Sequence, residues 1–255
     1  MAKADGTVAA WGYNSDEQCN VPAGLVATQV AAGDSHSLAL RSDGTVAAWG
    51  YNNRGQCNVP ADLVATQVAA GGSHSLALRS DGTVAAWGNN SYGQCNVPAG
   101  LVATQVAGGS GYSLALRSDG TVAAWGENWD GQCNVPAGLV ATQVAAGGAH
   151  SLALRSDGTV AAWGENSYGQ CNVPAGLVAT QVAGGSGYSL ALRSDGTVAA
   201  WGENWDGQCD VPADLVATQV AAGGAHSLAI RYIDDGGASR RRRAAWIDLE
   251  RPLLL

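Results

Sequence analysis

Several features that are common in other proteins are missing from this sequence. Phenylalanine is absent, and charged residues make up only 13% of the chain, about half the usual share. The formal net charge is −8, which argues against broad affinity for nucleic acid. No apolar run reaches the length of about 20 residues that spans a membrane, and the first ten residues lack the apolar core of a secretory signal. We therefore expect neither a nucleic-acid partner nor a membrane span, whereas the compartment stays open.

One decapeptide, RSDGTVAAWG, dominates what is present. It occurs five times, at residues 41–50, 79–88, 117–126, 155–164 and 193–202. Asp, Trp, Cys and Pro recur with the same step of 38 residues, and such a period marks a repeat architecture. Residues 105–137 return almost unchanged at 181–213, which indicates that a block of two repeats was copied.

Each repeat predicts four short strands and no helix. In the second copy, residues 64–72 (VATQVAAGG) predict a strand that enters a glycine-rich bend, and HSLALRS predicts the next strand. Asp-Gly in SDGT marks a tight hairpin, and TVAAWG predicts a third strand. We expect a fourth, outer strand near Cys57–Pro60, because proline cannot donate to a sheet ladder. Apolar residues on both strand faces predict sheets buried on both sides, as in the blades of a β-propeller.

The string GGSHSLALRSDGTVAAWGNNSYGQ at residues 71–94 resembles the repeats of the regulator of chromosome condensation family. The shared features are the Gly-x-x-His-Ser-Leu-Ala-Leu strand, the Asp-Gly hairpin and a Trp-Gly strand followed by Asn-x-x-Gly-Gln. The likeness extends over residues 5–230 and implies an all-β propeller with four-stranded blades. Family repeats are usually longer and number seven. No residue here matches an exchange-factor site, so the resemblance carries no such activity to this chain.

The strand count predicts a six-bladed ring over residues 1–233. The chain starts with the third strand of a blade and its last repeat stops after two strands. Closure therefore requires a clasp in which residues 5–22 and residues 217–231 share one blade. The alternative is a ring of seven blades to which the tail, residues 234–255, contributes.

The tail combines a cationic run with an apolar end in an otherwise acidic protein. Opposite charge can steer such a run onto an acidic loop surface, so we expect the tail to pack on its own propeller or on a neighbouring one. Contact with a neighbour would make the protein a homo-oligomer, and an idle extension is the alternative. The residues concerned are Arg240, Arg241, Arg242, Arg243, Trp246, Leu253, Leu254 and Leu255.

Two recurrent side chains, histidine and cysteine, belong to types that carry chemistry in other proteins. One repeat position holds His36, His74, His150 and His226, with Tyr112 and Tyr188 in the other two copies. We expect a structural imidazole that bonds backbone, because a phenol is a poor substitute for a zinc-ligating histidine. The six Cys should be free and buried, since equivalent positions around a ring lie too far apart for a disulfide. Free thiols favour the cytoplasm.

No triad, nucleotide loop or paired carboxylates interrupt the repeats, so we expect no enzyme, no cofactor and no metal. Variation concentrates in two places, the loops after Trp-Gly (13–18, 51–56, 89–94, 127–132, 165–170 and 203–208) and the bends at 33–36, 71–74, 109–112, 147–150, 185–188 and 223–226. Neutral drift and a ligand surface both explain this pattern. Exposed aromatic and acidic side chains are what stacking on a peptide or sugar would use. The candidate contacts are Tyr92, Trp129, Asp130, Tyr168, Trp205 and Asp206.

The prediction for function is a non-enzymatic interaction scaffold. A multivalent lectin-like module and a structural subunit that assembles through its tail are the alternatives.

Overall fold

The computed structural model describes residues 6–231, and residues 1–5 and 232–255 lie outside the described part. The described residues form an all-β fold. Five three-stranded antiparallel sheets succeed one another along the chain, with one two-stranded sheet before them and another after them. No helix within residues 6–231 is long and apolar enough to cross a bilayer. The tail residues named above, and the proposed domain boundary at 233, fall outside this range.

The strands run in chain order as follows: β1 (Gly6–Thr7), β2 (Val26–Ala27), β3 (Gln29–Ala32), β4 (His36–Leu40), β5 (Val46–Gly50), β6 (Gln67–Ala70), β7 (His74–Leu78), β8 (Val84–Gly88), β9 (Gln105–Gly108), β10 (Tyr112–Leu116), β11 (Val122–Gly126), β12 (Gln143–Ala146), β13 (His150–Leu154), β14 (Val160–Gly164), β15 (Gln181–Gly184), β16 (Tyr188–Leu192), β17 (Val198–Gly202), β18 (Ala217–Ala222) and β19 (Ser227–Arg231). We number the sheets as units 1 to 6, from β3–β5 in unit 1 to β18–β19 in unit 6, and each of units 1 to 5 includes the loop that follows its third strand.

The Asp-Gly hairpin forms as the sequence predicts. In unit 2, Asp81 Oδ1 accepts hydrogen bonds from Thr83 N at 2.9 Å and from Thr83 Oγ1 at 2.7 Å. Gly82 takes a φ of 82°, a left-handed conformation that glycine adopts without steric cost. The aspartate therefore stabilises its own turn.

The hydrophobic core is divided among the spaces between consecutive units. The cluster between units 2 and 3 joins Leu76 of β7 to Ala115 and Trp125 of the next sheet. Small alanines on one sheet leave room for the indole and leucine side chains of its neighbour. Burying a leucine contributes roughly 1.5–3 kcal/mol, and the same arrangement recurs with the 38-residue period.

The fourth strand predicted near Cys57–Pro60 is wrong, because these residues form a turn and an irregular segment. Asn52 explains the difference: its Oδ1 accepts the backbone N–H of Cys57 at 2.8 Å, and its Nδ2 donates to Asn58 Oδ1 at 2.9 Å. Since Pro60 has no N–H to offer, little remains for pairing with β5. The repeated sheets are accordingly three-stranded.

The two ends of the row do not pair with each other within the described residues. β1 pairs with β2 through Gly6 and Ala27. The same contact occurs one repeat later, where Ala65 N donates to Gly44 O at 2.8 Å. The predicted clasp is not seen, and β19 has a partner on one edge alone. Val30 in the first sheet is 56% exposed, whereas its equivalent Val68 is 1% exposed beneath unit 1. Ring closure and blade number stay predictions.

Candidate ligand-binding surface at the loop end

Both variable segments of the repeat lie at one end of the sheets. In unit 2, His74 at the start of β7 pairs with Gly88 at the end of β8, so the bend before β7 and the loop after β8 come together. We call this the loop end. The opposite end, which carries the Asp-Gly turns, is the hairpin end.

Each loop is anchored by the following unit. The Gln56 carbonyl accepts hydrogen bonds from Trp87 Nε1 and from Ser75 Oγ, both at 2.8 Å. The Gln56 side chain turns inward and accepts the backbone N–H of Arg54 at 3.0 Å. These bonds explain why Gln, Ser and Trp recur in every repeat, and they leave the side chains at the loop tip free to vary.

The structure brings four of the predicted contact residues together in two aromatic pairs. The rings of Tyr92 and Trp129 meet edge to face, with centroids 5.1 Å apart and planes at 74°. Tyr168 and Trp205 repeat the pair at 5.2 Å and 77°. Trp129 is nevertheless 76% exposed and Tyr92 is 45% exposed. Each pair spans two units, since the tyrosine comes from one loop and the tryptophan from the next.

Glu127, which was not predicted from the sequence, lies beside the first pair. A Cβ atom built on Gly111 would come within 2.2 Å of Glu127 Oε2 and 2.9 Å of Tyr92 Cδ2. The carboxylate and the tyrosine ring therefore share the space that the missing side chain leaves. Glu203 and Tyr168 lie in the same way over Gly187. The sequence contained an indication of this contact, because Gly111 and Gly187 occur in the two units that carry the loop tryptophans.

Unit 4 lacks that glycine, and its loop glutamate has a different partner. Ala149 stands where units 3 and 5 have Gly111 and Gly187. Its neighbour Glu165 turns to accept the backbone N–H of Ser167 at 2.6 Å. The loop glutamate thus lies over the glycine in units 3 and 5 and against its own loop in unit 4.

The electrostatics of the aromatic pairs are acidic. Partial burial raises the pKa of Glu127, and the nearby Asp130 raises it further. The exposed Asp130 and Asp206 donate their backbone N–H groups to Gln132 and Gln208, at 3.0 and 2.9 Å. In residues 6–231 the one ion pair joins Arg231 to Asp214, so no described cation pairs with the carboxylates at either aromatic pair.

The repeated histidine links neighbouring units by a side chain, not by the backbone contact that we expected. His74 Nε2 lies 2.9 Å from Ser113 Oγ, and that hydroxyl donates to the Gln94 carbonyl at 2.9 Å. The serine therefore accepts a hydrogen bond from the Nε2–H tautomer. At the tyrosine positions the hydroxyl of Tyr112 donates to the carbonyl of His150.

Burial shapes the acid-base properties of these imidazoles. It lowers the pKa of His36, His74 and His150 to about 4. The neutral form therefore prevails at physiological pH. Within the described residues, no group of three or more His, Cys, Asp or Glu side chains is arranged to hold a metal ion.

The six cysteines are half-buried, and none of them forms a disulfide in the described range. In unit 1, Cys57 Sγ contacts the Tyr51 carbonyl at 3.4 Å. Burial raises the pKa of four thiols to about 11, those of Cys95, Cys133, Cys171 and Cys209. Such thiols are weak nucleophiles at neutral pH, and their reduced state stays a prediction.

Two open polar cavities lie at the hairpin end, with volumes of about 410 and 550 Å³. Threonine and glutamine side chains of the first strands line them. Apart from Gln219, the lining glutamines are already engaged: Gln105 Nε2, for example, donates to Val144 O at 3.1 Å, and Gln105 Oε1 accepts from Val144 N at 2.9 Å. The loop end therefore offers the better candidate surface.

Five segments of the chain match the Regulator of chromosome condensation (RCC1) repeat, at residues 27–56, 65–94, 103–132, 141–170 and 179–208. Together they make up more than half of the sequence. This chain belongs to the RCC1 repeat family. Both aromatic pairs lie inside the matched RCC1 segments. No curated protein sequence matches the chain significantly.

Solved structures support an RCC1-type propeller fold. Prp20p from Saccharomyces cerevisiae is 23% identical, with a TM-score of 0.67 over 82% of this chain and 70% of that one. The ectodomain of the receptor kinase CR4 from Physcomitrella patens is 22% identical, with a TM-score of 0.72 over 83% and 60%. Human WBSCR16 is 23% identical, with a TM-score of 0.65 over 79% and 73%. At these identities the likeness concerns the fold alone.

Proposed function

We propose that this RCC1-repeat protein is a non-enzymatic interaction scaffold that binds a protein partner at its loop end. The observation that carries the proposal is the pair of solvent-exposed aromatic clusters, Tyr92 with Trp129 and Tyr168 with Trp205. Tryptophan and tyrosine are enriched in protein interfaces and dominate their energetics. When a partner covers an indole that is three quarters exposed, the apolar area that it removes from water favours binding.

The structural relatives are consistent with this role. The Prp20p structure was described together with the binding of that protein to Gsp1p and histones. Fold alone does not transfer such partners, and the partner of the present chain is not named by the likeness. What supports a binding role here is the combination of a propeller fold with exposed aromatic loops.

The absence of enzymatic activity is also part of the proposal. Catalytic groups are usually activated by a specific asymmetric environment, whereas these units are nearly interchangeable. The described imidazoles of His36, His74 and His150 are engaged with serine hydroxyls of the next unit. Burial raises the pKa of five thiols and makes them less nucleophilic, those of Cys57, Cys95, Cys133, Cys171 and Cys209.

We further propose that the units close into a six-bladed ring. Residues 8–12 (VAAWG) repeat the sequence of the third strand that unit 6 lacks. The register of the other sheets would place Ala9 opposite Ala229 and Val8 opposite Ile230. Closure would also cover Val30, which is exposed on the first sheet.

Removal of both loop tryptophans tests the binding role. The variant Trp129→Ala with Trp205→Ala is compared with Val102→Ala with Val178→Ala, which removes two exposed apolar side chains at the hairpin end. Both proteins and the wild type are applied to a peptide array and a glycan array. We expect wild type and control to bind the same peptides, and the tryptophan variant to lose roughly tenfold or more in affinity.

Three other outcomes are informative. Binding confined to glycans would favour the lectin-like module. Unchanged peptide binding by the tryptophan variant would remove the loop-end site. Concentration-dependent dimers in sedimentation, abolished when the Arg240–Arg243 run is replaced by glutamine, would favour the self-assembling subunit.

A further inference from the structure

We propose that each aromatic pair, together with its glutamate, binds the cationic side chain of an arginine or lysine in the partner peptide. The inference rests on the proposed function and specifies the chemistry of the partner. The first aromatic site consists of Tyr92, Gly111, Glu127 and Trp129. The second aromatic site consists of Tyr168, Gly187, Glu203 and Trp205.

The first feature of the site is the indole of Trp129. Trp129 touches Tyr92 in an edge-to-face arrangement and keeps most of its surface in water. A guanidinium or ammonium group over an exposed indole face is attracted by the ring quadrupole, and the planar guanidinium also stacks on it. The tyrosine holds the indole in place without covering it.

The second feature of the site is the carboxylate of Glu127. Glu127 Oε2 and the ring of Tyr92 meet in the space above Gly111, so an anion lies at the base of the aromatic pair. Asp130 is close enough to disfavour ionisation of Glu127. A cation entering between indole and carboxylate would relieve this repulsion, and no cation of residues 6–231 already does so.

Units 3, 4 and 5 differ in the residues that form the site. Units 3 and 5 combine the glycine, the glutamate and the tryptophan, and each follows a loop with tyrosine at the contact position. Unit 4 has Glu165 but neither the glycine nor the tryptophan, and its carboxylate bonds to its own loop. In unit 3, and in unit 5 where the copied block repeats it, the free carboxylate thus occurs together with the exposed indole.

The charge distinguishes a cation from a sugar as ligand. A neutral sugar would stack on the indole, but it would not neutralise the carboxylates of Glu127 and Asp130, which no cation of residues 6–231 pairs with. A basic peptide satisfies both. Because the site occurs twice, each chain should bind two cationic side chains, and a partner that reaches both sites would gain by avidity.

The test uses the full chain and the peptide acetyl-Gly-Arg-Gly-Arg-Gly-amide. Its matched control has citrulline for arginine, which keeps the shape and removes the charge. Binding is followed by NMR of the tryptophan indole N–H signals, with Trp129→Phe and Trp205→Phe to assign them. We expect the arginine peptide to shift these two of the nine indole signals, and citrulline to weaken binding about tenfold or more.

Two variants examine the carboxylate without touching the indole. Glu127→Gln removes the charge, and Gly111→Ala places a Cβ where Glu127 lies. Each should raise the Kd that is read from the Trp129 signal about tenfold. The Kd read from the Trp205 signal should stay unchanged and serves as an internal reference. Glu165→Gln, the same change in a unit without the tryptophan, should have no effect on either signal.

The outcomes separate this inference from the proposed function. Equal affinity for the arginine and citrulline peptides, or an unchanged Trp129 response in Gly111→Ala and Glu127→Gln, would overturn the cation site while the array result still stands. If the wild type does not respond, the variant with glutamine at 240–243 is titrated. A response in that variant alone supports the site and makes the chain's own arginines the occupant, whereas silence in both proteins overturns it.

Discussion

At the scale of single residues, the repeated histidine shows how burial and hydrogen bonding replace chemistry. His36, His74 and His150 have pKa values lowered to about 4 by desolvation, and each bonds a serine of the next unit. The sequence correctly indicated a structural role, because tyrosine substitutes for histidine in two copies. It could not identify the serine as the partner, since that contact depends on how neighbouring sheets stack.

These histidines predict acid sensitivity. The histidines bind protons near pH 6.5 in the unfolded chain and only near 4 in the folded chain. Their contribution therefore makes the free energy of unfolding fall as the pH drops from about 6.5 to 4, and it stays constant below. The aspartates of the hairpin turns, such as Asp81, have pKa values lowered by bonds from threonine, so their contribution is lost at lower pH. Urea titrations across this range measure the slope.

A repeat swap gives the matched variant for this slope. Ala70→Gly, Ser73→Gly and His74→Tyr give unit 2 the residues that unit 3 has at these positions. We expect about a third of the pH dependence to disappear, because one of three buried imidazoles is removed. An unchanged slope would show that other groups cause the acid sensitivity.

At the scale of strands, the units are joined by a ladder of glutamine side chains. Gln67, Gln105 and their equivalents each bond both backbone groups of a valine in the next unit. The period-2 pattern and the Asp-Gly turn predicted the three strands that form. The same reasoning gave a fourth strand that does not form, because Asn52 takes the N–H of Cys57.

Breaking one rung of this ladder should destabilise the protein. Gln105→Ala leaves the backbone N–H and C=O of Val144 without their partner. A buried polar group left unsatisfied costs about 1–3 kcal/mol, so chemical denaturation should show a loss of that size. Val102→Ala, on an exposed side chain, is the control and should change stability by less than about 0.5 kcal/mol. A loss no larger than the control would mean that water replaces the rung.

The candidate site was predictable in part. Residue type and variation identified Trp129, Trp205, Tyr92 and Tyr168 as exposed candidates. Their pairing was not visible in the sequence, because each pair joins two residues that lie 37 positions apart on successive loops and meet only when units stack. The role of Gly111 was hidden for the same reason.

At the scale of the whole molecule, the proposed closure of the ring would cover the two exposed ends of the row of sheets. The strand count predicts six blades, whereas the repeats of the family usually number seven, and the blade number stays a prediction. The clasp was harder to predict than the strands, because it would join residues 5–22 to residues 217–231, and no local sequence pattern marks such a junction.

Gln219 offers a direct test of closure. In the described residues it makes no rung, whereas in a six-bladed ring it would take the position opposite Val30 that Gln181 takes opposite Val220. Closure therefore predicts that Gln219→Ala costs about as much as Gln105→Ala, roughly 1–3 kcal/mol. A neutral Gln219→Ala, beside a costly Gln105→Ala, would show an open row.

The anchoring of every loop by the following unit has a consequence for inheritance. A tyrosine from one loop and a tryptophan from the next make up a site, so duplication of a single repeat cannot add a complete one. The smallest genetic step that does so copies two repeats, 76 residues, which is the interval between Trp129 and Trp205. Binding valence in such genes should therefore grow by pairs of repeats, and related genes with odd repeat additions should carry an unmatched tyrosine or tryptophan loop.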